Sequence, residues 1–528
     1  MEARIKSRIP IMEQILAITG QPGVSVGVLY RGQVILNQGL GHRDVSTQAK
    51  ADEHTLYCIA SLTKGFVSVA LNTVINENKL SWSDKAAKFV PGLGIQEDPT
   101  LVDRLSLADL VSHRSGLNSL DQLIQGLDGR ILVAKDKIVP LVSELPIQSD
   151  IRTAFSYTNV PFSVAGQIIE DLGGCGRWDE FLKTKIIAPL GMNSTTADWD
   201  TFTSDSNLAH PYTCLGNNRL HPLQQPELSA STLHGCAGGI RSSVTDMLKW
   251  CQAVISATNT NSQGEETNKL LSGVSPCFES AAIIDPASIA AGNYCLGWVK
   301  QTTPATLGMI SPNRRFFSPV LGKDSPSKLV YHHNGDTRGY QASLCIFPQD
   351  QSAIIALTNA TGMSDCTDWI MQDLAQEMFS FQPKNDYVAL AKQSAVLCAN
   401  RYDDTFVVPL QEHQIKGTEK PPQKDFTGEY TRSKTDSAAL NLVISEEGDK
   451  GLVMVINDHV GQAYHLYHYH YDTWCLLPDS RDEAIKRGYF NMFESWEEYL
   501  VDFGRRSDGA VACFVWKLGG VPVRFDRS

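Results

Sequence analysis

Residues 61–77 combine the apolar spacing of a buried helix with a Ser-x-x-Lys pattern at its start. At this spacing Ser61 and Lys64 lie on one helix face, one turn apart. A serine hydroxyl is a weak nucleophile until a neighbouring base takes its proton, and an amine is such a base only when its pKa is lowered. If Ser61 caps the helix, the free amides of the first turn also favour developing negative charge. The predicted inner face of this helix comprises Phe66, Val67, Ala70, Leu71 and Val74.

An isolated Ser-x-x-Lys is weak evidence for catalysis, because a capping serine and a solvated lysine are its usual interpretation. Other motifs in the same chain are needed to support a catalytic role. A second Ser-x-x-Lys, at residues 325–328, contains a proline and has the composition of a loop. Two further elements follow in order: Tyr157-x-Asn159 and His333-Asn334-Gly335. A tyrosine can relay a proton, and an asparagine can donate to and accept from a substrate amide. The apolar run before His333 predicts a strand, and Gly335 permits close approach of a substrate.

These three motifs in this order resemble the serine penicillin-recognising enzymes. The Tyr-x-Asn form is similar to class C β-lactamases, D-alanyl-D-alanine peptidases and their esterase and transesterase relatives. The resemblance covers roughly residues 10 to 380. Further segments that resemble the family are residues 22–28, 107–117, 189–192, 237–240, 294–298 and 357–359.

The resemblance implies a role for each matching residue. Ser61 would attack an acyl carbonyl and become acylated, while Lys64 and Tyr157 would share the proton transfers. Asn159 would hold the acyl side chain or amide of the substrate. The backbone amides of Ser61 and Asp336 would form the oxyanion hole, in which each donor is worth about 3–4 kcal/mol in related acyl transfer.

His333 departs from the family pattern, because β-lactamases usually have lysine there. A histidine is largely neutral at pH 7, with an ordinary pKa of about 6.5, so the substitution argues against an anionic β-lactam or a peptide C-terminus as substrate. His-x-Gly is more similar to the esterases, aminopeptidases and acyltransferases of the family. Asn334 and Gly335 are assigned with His333 to substrate binding, and Arg338 is a candidate to restore the positive charge.

The resemblance and the strand patterns predict an α+β fold: a β-lactamase/transpeptidase-like antiparallel sheet flanked by a helical region, followed by an all-β domain. Residues 1–400 are assigned to the catalytic domain, with a variable insertion at 255–290 that opens on a polar run at 258–264. Residues 401–424 are assigned to a linker. Residues 425–528 resemble the small lipocalin-like barrel of many relatives, and such a domain would cover the active site, mediate dimer contacts or, as we slightly favour, only add stability.

Composition limits the partners. The net charge of −12 disfavours nucleic acid and anionic membranes, and the chain has no run long enough to span a bilayer. The N-terminus lacks the apolar core of a signal peptide, and the 12 cysteines are scattered without a C-x-x-C pair. We therefore expect a cytoplasmic protein with a small-molecule acyl substrate; a homodimer is possible.

A histidine-rich stretch at residues 464–471 is the one candidate metal site. In a strand, His468 and His470 share one face, with Tyr467, Tyr469 and Tyr471 on the other. Two histidines lack the further ligands that a metal needs, so a polar outer face over a tyrosine-packed inner one is preferred. We predict no metal and no cofactor, and we interpret His332 as structural.

The leading hypothesis is a serine hydrolase that cleaves an ester or amide through an acyl-enzyme on Ser61. The alternative is an acyltransferase, transesterase or cyclase of secondary metabolism, which would use the same acyl-enzyme with a bound alcohol or amine in place of water. A non-catalytic binding role is a less favoured possibility, and a β-lactamase that defends a cell wall is disfavoured by the expected localisation and by His333. The acyl group, the leaving group and the acceptor are open at this level.

Overall fold

A twisted antiparallel sheet organises the larger part of the molecule. The computed structural model describes residues 1–258, 271, 273–288, 290–432, 438–448, 451–488 and 493–528. Within these residues, nine strands form the sheet. In spatial order they are Ala49–Lys50, Gln33–Asp44, Gly23–Tyr30, Ser352–Thr358, Tyr340–Phe347, Leu329–Thr337, Val299–Thr302, Asn293–Tyr294 and Ala282–Ile283.

The central strands are apolar at successive positions because both faces of the sheet are covered. Along Ser352–Thr358, Ile354 and Ala356 pack on one face, and Ile355 and Leu357 on the other. The first face is covered by the helices Glu2–Lys6, Ile9–Thr19, Cys366–Phe379 and Tyr387–Arg401. On the second face Val244–Thr258 packs against the sheet.

A mainly helical region lies beside the second face and completes the larger core. Its principal helices are Thr63–Glu77, Leu107–Leu110, Asp121–Ile124, Ile138–Glu144, Val160–Leu172, Trp178–Leu182, Trp199–Thr203 and Gly235–Gly238. Two small sheets link it to the rest: Ala360–Thr361 with Tyr212–Cys214 and Leu220–Pro222, and Tyr57–Cys58 with Arg241–Ser242.

The C-terminal strands close on themselves. Among the described residues, eight strands form an antiparallel barrel: Gly428–Thr431, Asn441–Glu446, Leu452–Ile456, Tyr464–His470, Thr473–Cys475, Leu500–Arg505, Val511–Leu518 and Val521–Arg527. The predicted fold class, a flanked antiparallel sheet with a C-terminal all-β barrel, is confirmed. The barrel docks on the helical region through hydrogen bonds such as Ala439 N to Glu144 Oε1 (2.6 Å) and Asn457 Nδ2 to Leu132 O (2.9 Å).

Local details differ from the sequence expectations. Residues 402–413 continue the preceding helix as π-helical and α-helical turns, and of the stretch assigned to a linker only the part beyond them is largely without regular structure. The polar run at 258–264 lies, apart from Thr258, outside the described residues. The domain boundaries stay a prediction.

The histidine-rich strand is also more irregular than expected. A register shift between His468 and His470 breaks the alternation, so Tyr469 is buried whereas Tyr467 is 43% exposed. The expectation that the tyrosines share one packed inner face is therefore wrong.

Two further observations bear on the composition-based expectations. None of the helices within the described residues is both long and apolar enough to cross a membrane. All 12 cysteines are free thiols, and most of them are buried.

Candidate active site

Ser61 lies on a tight turn at the junction of a strand and a helix. The short strand Tyr57–Cys58 leads into a 3₁₀ turn, Ala60–Leu62, and the α-helix begins at Thr63. The helix cap is Leu62, so Ser61 does not cap the helix and the benefit that capping would bring does not apply. Ala60 has a φ of +45°, a left-handed conformation that is costly for a residue with a Cβ. The turn holds the Ser61 hydroxyl at the wall of a cavity.

Lys64 is buried and makes three polar contacts. Its Nζ lies 3.0 Å from Ser61 Oγ, 2.7 Å from Asn159 Oδ1 and 2.9 Å from the carbonyl oxygen of Ala237. Burial lowers the pKa of Lys64 to about 7, against the opposing effect of Asp121. A neutral amine fits this geometry fully: its two N–H groups donate to Asn159 and Ala237, and its lone pair faces Ser61. Lys64 is therefore poised to accept the serine proton.

Tyr157 completes the triangle around the serine. Its hydroxyl donates to Ser61 Oγ at 2.8 Å, and burial raises its pKa well above the usual value. The phenol therefore stays protonated near neutral pH and acts as a donor. Its ring stacks on His113 with centroids 4.0 Å apart, and His113 Nδ1 accepts from the backbone N–H of Thr158 at 3.1 Å. These contacts fix the Tyr157 hydroxyl at Ser61.

Both the oxygen and the nitrogen of the Asn159 side-chain amide form hydrogen bonds within the protein. Its Oδ1 accepts from Lys64, and its Nδ2 donates to Asp121 Oδ2 at 2.8 Å. The carboxylate thus fixes the orientation of the amide and, through it, the position of Lys64. One N–H of Asn159 is left for a substrate, since the group carries two hydrogens.

His333 lies behind Tyr157 rather than at the cavity wall. Its Nδ1–H donates to the carbonyl oxygen of Asn334 at 2.6 Å, so Nε2 accepts from the Tyr294 hydroxyl at 3.0 Å. Burial lowers the pKa of His333 to about 3, which keeps the ring neutral. Both ring nitrogens are therefore occupied, and the geometry gives His333 a supporting place instead of the substrate contact expected from the sequence.

The two residues after His333 also differ from expectation. The amide of Asn334 is buried and donates to Ser343 Oγ at 2.8 Å, away from the cavity. A Cβ on Gly335 would lie 2.3 Å from the carbonyl oxygen of Ile59 and 3.2 Å from the Ser61 nitrogen. The close approach that this glycine permits is thus to the backbone of the Ser61 turn and not to a substrate.

Asp336 and Arg338 both line the cavity. The Asp336 carboxyl accepts from Gln341 Nε2 at 3.0 Å, and burial, aided by Asp365, raises its pKa to about 7. Arg338 is held by Asp128, with Nη1 3.3 Å from Oδ1, and by the backbone carbonyl oxygen of Lys486. The charge of Arg338 is thus already balanced inside the protein.

The cavity has a volume of about 580 Å³ and is walled by both parts of the molecule. One end of the cavity, called the catalytic end below because it contains Ser61, is lined by Ser61, Asp121, Tyr157 and Asn159. The segment between the barrel strands Thr473–Cys475 and Leu500–Arg505 contributes Ile485, Gly488 and Glu494. Glu494 pairs with Arg315 at 2.5 Å, which ties this segment to the sheet-bearing part. The barrel is therefore part of the cavity and not only an appendage.

Sequence reasoning missed several residues of the site. The Ala237 carbonyl, His113 and Tyr294 lie in segments that resemble family signatures, although the sequence assigned them no role. Asp121 and the barrel residues had no sequence signal, because long-range packing alone brings them to Ser61. Among the described residues, no group of three or more His, Cys, Asp and Glu side chains has the arrangement of a metal site.

The burial of Lys64 predicts the pH dependence of any reaction in which Lys64 takes the proton of Ser61. With a pKa of about 7, half of Lys64 is neutral at that pH, and the neutral base is lost as pH falls. We expect kcat/KM to rise about tenfold per pH unit below 7 and to level off above about pH 8. Stopped-flow rates with a neutral ester between pH 5 and 9 measure this profile. A limb near pH 10, the usual range of lysine, would contradict it.

The sequence is similar to a known protein family and to several known proteins. A family model described as Beta-lactamase matches residues 10–377. The chain is 24% identical over 364 residues to an unguisins hydrolase of Aspergillus campestris, and the match covers 67% of this chain and 61% of that protein. It is 25% identical over 188 residues to a putative D-alanyl-D-alanine carboxypeptidase of Escherichia coli, covering 33% and 43% of the two chains. The chain thus spans about three fifths of the fungal hydrolase.

The fold has a counterpart among solved structures. The octameric penicillin-binding protein homologue from Pyrococcus abyssi aligns with a TM-score of 0.57 at 20% identity, over 99% of both chains. This likeness concerns the fold, including the C-terminal barrel region.

Proposed function

Because this chain belongs to the β-lactamase family, we propose that it is a serine hydrolase that cleaves an ester or amide of a small acyl substrate through an acyl-enzyme on Ser61. The observation that carries the proposal is the triangle of Ser61 Oγ with Lys64 Nζ at 3.0 Å and Tyr157 OH at 2.8 Å. A nucleophile within reach of both a neutral amine and a protonated phenol has its base and its proton relay in place.

Acylation follows from this geometry. Neutral Lys64 takes the Ser61 proton as Oγ bonds to the acyl carbon, and the carbonyl π electrons move to the oxygen. The Ser61 and Asp336 amides donate to that oxyanion, a pairing supported by the close packing of Gly335 on the Ser61 turn. As the tetrahedral intermediate collapses, Tyr157 gives its proton to the leaving group and recovers one from the Lys64 ammonium, so the serine is acylated and Lys64 is neutral again.

Deacylation reverses the roles. A water at the acyl carbon gives its proton to Lys64 through Tyr157, and the released Ser61 oxygen takes a proton back.

Acyl transfer to an alcohol or amine is the second candidate function. The cavity volume of about 580 Å³ exceeds the space that a small acyl group fills, so it leaves room for an acceptor. The barrel wall at Ile485 and Gly488 supports a part for the barrel in choosing the substrate.

Turnover of p-nitrophenyl esters from acetate to octanoate tests the proposal. We expect release of p-nitrophenol by the wild type and only background release by Ser61→Ala, a loss of about 10³-fold or more. Added alcohols or amines separate the two candidates, since a transferase forms the new ester or amide in preference to the free acid. Equal turnover by the wild type and Ser61→Ala would refute the proposal.

A further inference from the structure

Asp121 places a carboxyl group at the catalytic end of the cavity without a permanent cation beside it. Burial raises the pKa of Asp121 to about 6, so the group is mostly ionised at pH 7. Its side chain is 25% exposed, and its Oδ2 accepts from Asn159. The nearest histidine nitrogen, His234 Nε2, lies 3.8 Å from Oδ1, and burial lowers the pKa of His234 to about 3. Among the described residues Lys64 is the remaining cationic group at this end of the cavity, and it has to be neutral when it acts as the base.

The positive charges of the arginines in the cavity are balanced by carboxylates. Four arginines line it, and each has a carboxylate partner: Arg130 with Glu227, Arg314 with Asp285 (3.6 Å), Arg315 with Glu494 (2.5 Å) and Arg338 with Asp128 (3.3 Å). When Lys64 is neutral, the catalytic end is therefore the negatively charged part of the cavity. A positively charged substrate group there would restore neutrality, and a carboxylate would be repelled.

We infer that Asp121 selects acyl groups that carry a cationic amine close to the scissile carbonyl, such as aminoacyl esters, aminoacyl amides or the N-terminal end of a peptide. The inference rests on the proposed acyl-enzyme function. The amine has to be near the carbonyl, because Asp121 is joined to Ser61 through only Asn159 and Lys64, at 2.8, 2.7 and 3.0 Å along the chain of contacts.

The same contact would help the chemistry. The charge of Asp121 favours the protonated form of Lys64, whose pKa it raises. A bound ammonium compensates that charge and so favours the neutral amine that takes the proton of Ser61. Asp121 would thus act as a specificity residue toward the substrate and as a positioning residue toward Asn159 and Lys64.

Asp121→Asn tests the inference, because it removes the charge and keeps an oxygen for Asn159. Alanine, propanoyl and succinyl p-nitroanilides form a matched series with a cationic, a neutral and an anionic acyl group. We expect the wild type at pH 7 to prefer alanyl over propanoyl and to reject succinyl. In Asp121→Asn the alanyl-to-propanoyl ratio of kcat/KM should fall about 10- to 100-fold. The control Asp98→Asn removes a carboxylate from a surface pair with Arg104 and should keep the ratio.

A second readout separates charge selection from structural damage. Loss of Asp121 should move the acid limb of the pH profile to lower pH for a neutral substrate, which a folding defect would not do. Phosphonylation of Ser61 by diphenyl 1-aminoethylphosphonate and by diphenyl ethylphosphonate repeats the comparison without turnover. An unchanged amine preference in a folded Asp121→Asn protein would overturn the inference and leave the acyl-enzyme standing. Absence of any reaction at Ser61 would instead overturn the proposed function, and the inference with it.

Discussion

Replacing Lys64 with methionine is expected to abolish acylation and, at the same time, to raise the free energy of unfolding. Removal of a general base costs about 10²- to 10⁴-fold in rate, so kcat/KM should fall by about 10³-fold. The stability gain has a separate cause. Lys64 is fully buried, and its pKa falls from 10.5 to about 7 on folding. Each tenfold change in acidity is worth about 1.4 kcal/mol, so the buried amine costs a few kcal/mol at pH 7.

The sign of the pH effect distinguishes this explanation from a gain in stability that comes only from better packing of the methionine side chain. Between pH 7 and 10.5 the unfolded chain holds a proton on Lys64 that the folded protein has released. The wild type therefore gains stability as pH rises through this window, and the penalty is largest below pH 7. We expect Lys64→Met to be about 1–3 kcal/mol more stable than the wild type at pH 7, after the loss of the amine's hydrogen bonds. The difference should shrink at pH 9.

Denaturant unfolding of both proteins at the two pH values measures this gap. Lys392→Met, on the exposed side of the helix Tyr387–Arg401, is the matched control and should change neither activity nor stability. A Lys64→Met protein that is less stable than the wild type at pH 7 would show that the lysine stabilises the fold. A variant that still acylates at the wild-type rate would show that Lys64 is not the base.

Gly335→Ala is expected to have the second large effect. The added methyl would lie 2.3 Å from the Ile59 carbonyl oxygen and 3.2 Å from the Ser61 nitrogen, both in backbone that is hard to move. The strand Leu329–Thr337 has to retreat from the Ser61 turn, which separates the two proposed oxyanion donors. Loss of one such donor costs about 10²- to 10³-fold in kcat. Overpacking of this kind also destabilises a protein by about 1–3 kcal/mol.

The control for this variant is Gly461→Ala in the barrel, where no heavy atom lies within 4 Å of the added methyl. It should keep wild-type kcat and stability. The measurement is kcat for a neutral ester together with the midpoint of thermal unfolding. If Gly335→Ala kept full kcat, the close packing of the strand against Ser61 would have no part in catalysis.

The local patterns in the sequence predicted the parts of the molecule that depend on short-range physics. Alternating and periodic apolar residues placed the strands and the helix that follows Ser61, and the motif spacing placed Lys64 one turn from Ser61. The structure brings Tyr157 and Asn159 to the same point, as the motif order implied. The prediction for Ser61 and Lys64 succeeds because their spacing dictates which side chains share a helix face. The meeting of Tyr157 and Asn159 with them followed only from the resemblance to the family.

The sequence could not predict contacts that depend on how distant segments pack. Asp121 is 38 residues from Asn159, and Ile485 comes from a different part of the fold, yet both line the cavity. The direction of the Asn334 side chain depends on strand register and on the partner Ser343. His333 was expected to contact the substrate because it occupies the first position of the His-x-Gly motif. In the structure its ring is hydrogen-bonded to Tyr294 and lies behind Tyr157.

The central claim is that Ser61 carries the acyl group, and intact-protein mass spectrometry tests it most directly. Wild type and Ser61→Ala are mixed with a p-nitrophenyl ester, quenched in acid within milliseconds to seconds, and weighed. We predict that the wild type gains the mass of one acyl group, located by digestion on the peptide that contains Ser61, and that Ser61→Ala gains none. A folded wild type that turns the ester over without an adduct, or an adduct that persists in Ser61→Ala, would contradict the account.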